Sequence, residues 1–290
     1  MEFEDHLIST QTLIISTNII INCKALYETT NWNEIKRPQN GKYRMVVQEE
    51  DKHLPNGSLV FLQEGTSYKG VIFKKPSKKY FLNSVTMIMK VENKYINIKV
   101  SNKGKLQITG CSKDEYAFII LNGFWSLIRE NKELWSFQNK EDKYLEAIII
   151  PVMCNINFSV DFQINREALD SIIKTETEFR SILEPSDGYV GVNIKICTEE
   201  EPLNKVMIDR YIFMNDTFVK SEINYMSYIS TLPQKEQKKK LSKCLVNTFL
   251  VFYSGKVIMS GGISKINRKK AYDIFMELIC KHKKLILLTE

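Results

Sequence analysis

Gly255-Lys256-Val257-Ile258-Met259-Ser260-Gly261 near the end of the chain answers Gly104-Lys105-Leu106-Gln107-Ile108-Thr109-Gly110 near its middle. Each copy opens on Gly-Lys, alternates polar and apolar residues, and closes on Ser or Thr followed by Gly. Period-two alternation after a glycine turn is the pattern of a hairpin's second strand. The match extends outward in both directions. Upstream, Tyr95–Val100 and Thr248–Tyr253 read as the first hairpin strands, and Ser84–Val91 and Tyr189–Ile196 as the strands before them. Downstream, each copy runs into a helical stretch, to about Arg129 and to about Lys281, with Ser112 and Ser264 as candidate N-caps. The apolar sets Tyr116, Ile119, Ile120, Gly123, Leu127 and Ala271, Ile274, Phe275, Leu278, Ile279 give each helix one face to bury.

The opening of each half is less alike. Asn155–Phe162 alternates, with Asn155, Asn157, Ser159 and Asp161 on one face and Ile156, Phe158, Val160 and Phe162 on the other, and leads to a helix over about 165–174. Thr10–Ser16 and Cys23–Thr29 are the corresponding strand and helix. The chain therefore divides into repeat one, 1–136, with an insertion at about 33–79, and repeat two, 137–290, with an insertion at about 198–243.

Side-chain alternation also assigns the strand faces. Val190, Val192, Ile194 and Ile196 belong to the core, which leaves Tyr189, Gly191, Asn193 and Lys195 outside. Val85, Met87, Met89 and Val91 belong to the core, which leaves Ser84, Thr86, Ile88 and Lys90 outside. The outer faces carry lysines and almost no carboxylates. Solvated faces usually mix signs, so this bias points to a polyanion, as does the net charge of +7 at pI near 8.9.

Composition narrows the function classes. A hydrophobic content of 43% supports a real core. The cysteines at 23, 111, 154, 197, 244 and 280 fit no zinc knuckle and no disulfide framework, and read as thiols in an intracellular, reducing compartment. His6, His53 and His282 are scattered and suggest no metal cluster; no cofactor is implied. Lys256 is not followed by Ser or Thr and no upstream glycine completes a phosphate-binding loop. With no Cys/His dyad or carboxylate cluster, the expectation is a protein that is not an enzyme. Apolar runs are too short to span a bilayer.

The residues resemble the TATA-box-binding protein family, and in particular its diverged members in large DNA viruses. Phe252-Tyr253-Ser254-Gly255-Lys256 followed by Ser260-Gly261 is similar to the family's Phe-x-Ser-Gly-Lys-x-x-x-Thr-Gly hairpin. Phe81–Cys111 resembles the matching strand pair of repeat one, and Asn155–Ile196 the opening of repeat two. The resemblance implies an α+β fold: a pseudo-twofold saddle of curved antiparallel sheet, helices on the convex face, insertions in both lobes. It implies a transcription initiation factor that binds AT-rich promoter DNA in the minor groove, wedges apolar side chains between base steps, and recruits RNA polymerase-associated factors. The viral members imply a host cytoplasmic factory or nucleus, or packaging in the virion.

Carried over residue by residue, the wedges of repeat two fall on Tyr189 and Phe252, and the phosphate contacts on Lys90 and Lys195. The hairpin lysines fall on Lys105 and Lys256, the groove-reading asparagine on Asn155, and the paired hydroxyls on Thr109 and Ser260. Repeat one departs from the pattern. It has no phenylalanine near Ser84 or Val100–Ser101, Phe81 stands three residues early, and either Thr10 or Gln11 could answer Asn155. Gln107 and Asn193 make the face more polar than the family's. The alternative is a module that keeps the fold for protein interaction and has lost most direct DNA binding.

Overall fold

The computed structural model describes residues 2–35, 45–73, 83–183, 191–198, 203–241 and 246–288. In chain order these form β1 (Ile8–Thr17), β2 (Ile19–Ile21), α1 (Cys23–Thr29), β3 (Leu59–Glu64), β4 (Ser67–Gly70), β5 (Ser84–Val91), β6 (Lys94–Ser101), β7 (Lys105–Cys111) and α2 (Glu115–Ile128). There follow β8 (Trp135–Phe137), β9 (Leu145–Ser159), α3 (Arg166–Glu176), β10 (Arg180–Ile182), β11 (Gly191–Cys197), β12 (Met207–Met214) and β13 (Thr217–Asn224). The chain ends with α4 (Tyr225–Ser230), α5 (Gln234–Leu241), β14 (Val246–Phe252), β15 (Lys256–Gly261), α6 (Lys265–Lys281) and α7 (Lys283–Ile286).

Two compact units result, and they do not coincide with 1–136 and 137–290. One, here the C-terminal unit, comprises Met1–Gln11, Pro151–Met207 and Ile223–Glu290; the other, the N-terminal unit, comprises Thr12–Ile150 and Ile208–Glu222. The physical reason is the second insertion. Its strand β12 pairs antiparallel with the start of β9, Tyr211 opposite Ala147, and the β12–β13 hairpin lays its aromatics on α2. Phe118 stacks on Tyr211 at 4.9 Å, Trp125 meets Phe213 at 5.7 Å, and Phe213 meets Phe218 at 5.0 Å. Such pairs add to simple area burial.

In the C-terminal unit the strands run in the order β10-β11-β14-β15-β9, all antiparallel. Alternation decides what is buried: Val192, Ile194, Ile196, Phe249, Val251, Val257, Met259, Ile156 and Phe158 point inward against α3 and α6. Phe249 stacks face to face on Phe275, centroids 4.4 Å apart. Ser264 caps α6 by accepting from the Asn267 amide, and Asn165 caps α3 by accepting from Ala168.

The N-terminal unit repeats the plan with strand order β1-β7-β6-β5-β3-β4, and its core gathers Leu13, Ile15, Val85, Met87, Ile98, Val100, Leu106 and Ile108 under α1 and α2. Two expectations are corrected here. Ser112 is not the cap of α2, which starts at Glu115 with Asp114 before it and no capping side chain. The buried stripe of α2 is Tyr116, Ala117, Ile120, Leu121, Phe124, Trp125 and Ile128, one position round from the apolar set read in the sequence. Lys238–Lys240 form the last turn of α5. Among the described cysteines, Cys197 departs from the all-thiol reading: it is disulfide-bonded, whereas Cys23, Cys111, Cys154 and Cys280 are free.

Candidate nucleic-acid interface

The outer face of the C-terminal unit can be built strand by strand from its register. One row runs Arg180, Lys195, Thr248, Ser260, Asn155; the next runs Ile182, Asn193, Leu250, Ile258, Asn157. In the third, Gly191 faces Phe252, and Lys256 faces Ser159. Because β side chains alternate, all of these project opposite the core. Lys195, Lys256 and Arg180 are exposed, Phe252, Leu250 and Ile258 half-buried. No Asp or Glu occurs in these rows among the described residues.

Phe252 ends β14 at a tight turn in which the Gly255 amide donates to its carbonyl at 3.0 Å. Gly255 has φ +78°, and a β-carbon there would collide with the Phe162 carbonyl, so glycine is required. Across from Phe252, Gly191 offers no side chain; a β-carbon would meet the Leu250 side chain at 2.8 Å. The ring therefore borders an open concavity of about 730 Å3 shared with Asn157, Ser159, Tyr253, Lys256 and Ile258. The Tyr253 hydroxyl is engaged with the Gln163 amide oxygen at 2.8 Å. An aromatic ring on a face whose strand rows carry cations and no carboxylate can press on a stacked or groove surface while the cations meet phosphates.

The corresponding face of the N-terminal unit differs. Thr109 and Gln107 are exposed and Lys105 half-buried, but Ile88 is 5% exposed and Lys90 only 6%. The first insertion covers them. Ile35, Val47, Leu54, Val60 and Phe61 form a small second core with Ile88 and Tyr95, and the Tyr95 hydroxyl donates to the buried Asp51 carboxylate at 3.1 Å. Lys90 and Ile88 were expected to be open; an apolar cluster built on the outer side of β5 buries them instead.

Register also corrects which residues answer each other. The ladder Ser260–Thr248–Lys195 matches Thr109–Asn97–Ile88, so the counterpart of Lys195 is Ile88 and not Lys90. The counterpart of Asn155 is Thr12, not Thr10 or Gln11. Five residues beyond each, Val160 and Thr17 donate their amides to the hairpin carbonyls of Gly255 and Gly104, at 3.0 and 3.1 Å. Gln11 instead sits against Cys154, whose thiol points at its amide oxygen at 3.6 Å. Tyr189 lies outside the described residues, as does Phe81. Arg180, which pairs with Lys195, escaped the sequence reading because a three-residue edge strand is too short to show a period.

Two antiparallel units of like topology, each backed by helices on one face, make this an α+β protein. No family model matches the chain. Two virus proteins are similar to it in sequence. TATA-box-binding protein-like of Acanthamoeba polyphaga mimivirus is 31% identical over 146 residues, 42% of this chain and 39% of that protein. Uncharacterized protein 335L of Invertebrate iridescent virus 6 is 28% identical over 217 residues, 70% of this chain and 61% of that protein. The chain thus spans less than two thirds of either relative. Among solved structures, Methanococcus jannaschii TBP aligns over 95% of this chain and 98% of its own, with 12% identity and a TM-score of 0.46. The resemblance to TATA-box-binding proteins in their large-DNA-virus form, read first from the hairpins, stands.

Proposed function

We propose that the chain is a TBP-like transcription initiation factor that binds promoter DNA in the minor groove, chiefly through the outer face of the C-terminal unit, and recruits transcription machinery through its other surfaces. It acts without catalysis. The observation that carries this is the outer face whose described strand rows hold Phe252, Lys195, Lys256 and Arg180 and no Asp or Glu. The similarity to two virus proteins supports the same reading; the proposed place of work is an infected host cell, in a cytoplasmic factory or the nucleus. Each phosphate neutralised contributes about −0.9 to the slope of log affinity against log salt, so three contacts give roughly −3. Duplex binding measured across salt tests it. The expected result is that steep slope, with Phe252→Ala weakening affinity about tenfold or more, which is about 1.4 kcal/mol. Flat salt dependence with unchanged Phe252→Ala binding would end this reading.

One observation favours a second reading, an interaction module with little DNA affinity: the insertion that buries Ile88 and Lys90 closes one of the two repeats. Stable complexes with polymerase-associated factors, without salt-dependent duplex binding, would select it.

A further inference from the structure

The row Ile182, Asn193, Leu250, Ile258, Asn157 crosses the middle of the candidate interface. Two aliphatic side chains lie at its centre, with an amide on each side of them. Asn193 is half-buried and Asn157 exposed. Neighbouring strands are about 4.8 Å apart, so three strand steps separate the two amides by roughly 14 Å. At 3.4 Å per base pair that is roughly four pairs of undistorted duplex.

The minor groove limits what such amides can meet. An A·T pair presents only acceptors there, in either orientation, and a G·C pair adds one donor, the guanine amino group. An aliphatic side chain over that amino group would bury a donor without a partner, which is costly. An amide oxygen supplies the missing acceptor. The side-chain amide oxygen of Asn193 is shielded from solvent and finds no donor, and the same holds for the side-chain oxygen of Asn155 one row away. The terminal torsion of asparagine is soft and roughly two-fold, so the amide can turn. Inside, its oxygen meets no donor; turned outward, it meets one only where the groove carries an amino group.

We propose that Asn193 and Asn157 are specificity-determining residues that accept from guanine amino groups, so the preferred site carries G·C pairs about four steps apart around a short A·T centre under Leu250 and Ile258. This inference rests on the reading of the face as a minor-groove interface.

The test uses full-length protein and duplexes altered only in the minor groove. Replacing guanine by inosine removes the amino group and leaves the pairing partner unchanged; replacing adenine by 2,6-diaminopurine adds one. A tiled series of G·C positions around an A·T centre locates the two sites. The expected result is a roughly five- to tenfold loss on inosine substitution at those positions, and a gain of similar size when diaminopurine is placed there in an all-A·T duplex. Asn193→Val with Asn157→Val should bring both ratios to about one. The diaminopurine arm needs only the wild-type chain, so a variant that misfolds does not stop the test. Wild-type protein that binds the inosine or all-A·T duplex as tightly as the guanine duplex overturns the inference and leaves the DNA reading standing. Absence of binding to every duplex overturns both.

Discussion

Ile88 occupies in the N-terminal unit the ladder position that Lys195 holds in the C-terminal unit: Ile88 faces Asn97 as Lys195 faces Thr248. One repeat presents an exposed cation there and the other a buried aliphatic side chain beneath an inserted core. The two repeats share a fold and differ in what that fold exposes.

The contrast is testable by charge removal. Lys195→Ala is expected to reduce the salt slope of duplex binding by about one, and Lys90→Ala to leave it unchanged, because Lys90 is 6% exposed. Ile88→Lys should lower stability by several kcal/mol, about 3 or more, by burying an unpaired charge. Filter binding across salt and urea denaturation measure the two effects.

Gly104 and Gly255 have φ +68° and +78°, and a β-carbon at either would strike a carbonyl, of Ile19 and of Phe162 respectively. Gly104→Ala and Gly255→Ala are each expected to destabilise by about 1–3 kcal/mol. Thermal unfolding of each variant should show a lowered midpoint; an unchanged midpoint for either would mean that its hairpin turn relaxes freely.

Cysteine reactivity should separate by environment. Burial pushes the Cys23 thiol up to about 11 and the Cys111 thiol up to about 12, and Cys154 is buried while Cys280 is exposed. Since the thiolate is the reactive form, brief alkylation of native protein followed by peptide mapping should mark Cys280. Cys23, Cys111 and Cys154 should be marked only after denaturation.

His6 supplies a pH dependence. Desolvation lowers its pKa below the ordinary value, and its ring lies 2.9 Å from the Tyr272 hydroxyl and 5.1 Å from the Phe158 ring centroid. The unfolded chain therefore binds a proton more readily than the folded one near pH 6, so stability is full above about 6.5 and falls as pH drops through the folded value. Urea midpoints from pH 7.5 to 5.5 should decline for wild type and decline less for His6→Gln.

The strands and helices were legible because their patterns are local. Ser84–Val91 and Cys23–Thr29 fall where alternation and the following apolar residues put them. In the C-terminal unit the face assignment also holds, from Asn155 through Lys195 to Lys256. What could not be read was long-range. Alternation puts Ile88 and Lys90 opposite the core, but it cannot say that Ile35, Val47 and Phe61 come back to cover them. Nor could it fix the repeat register of Lys195 or Asn155, which depends on hydrogen bonds between strands far apart in sequence.

The hairpin that begins at Met207 carries a consequence for synthesis. Because Ile208–Glu222 completes the N-terminal unit, a ribosome must deliver about three quarters of the chain before that unit has its last strand and the aromatic pairs on Phe118 and Trp125. The C-terminal unit in turn waits for its last helices to join Met1–Gln11. Vectorial folding, one half finished before the next begins, is unavailable to this chain. Fragments cut at residue 136 would each lack strands of the unit they were meant to contain, and the α2 aromatics left bare in the first fragment would make it prone to aggregate.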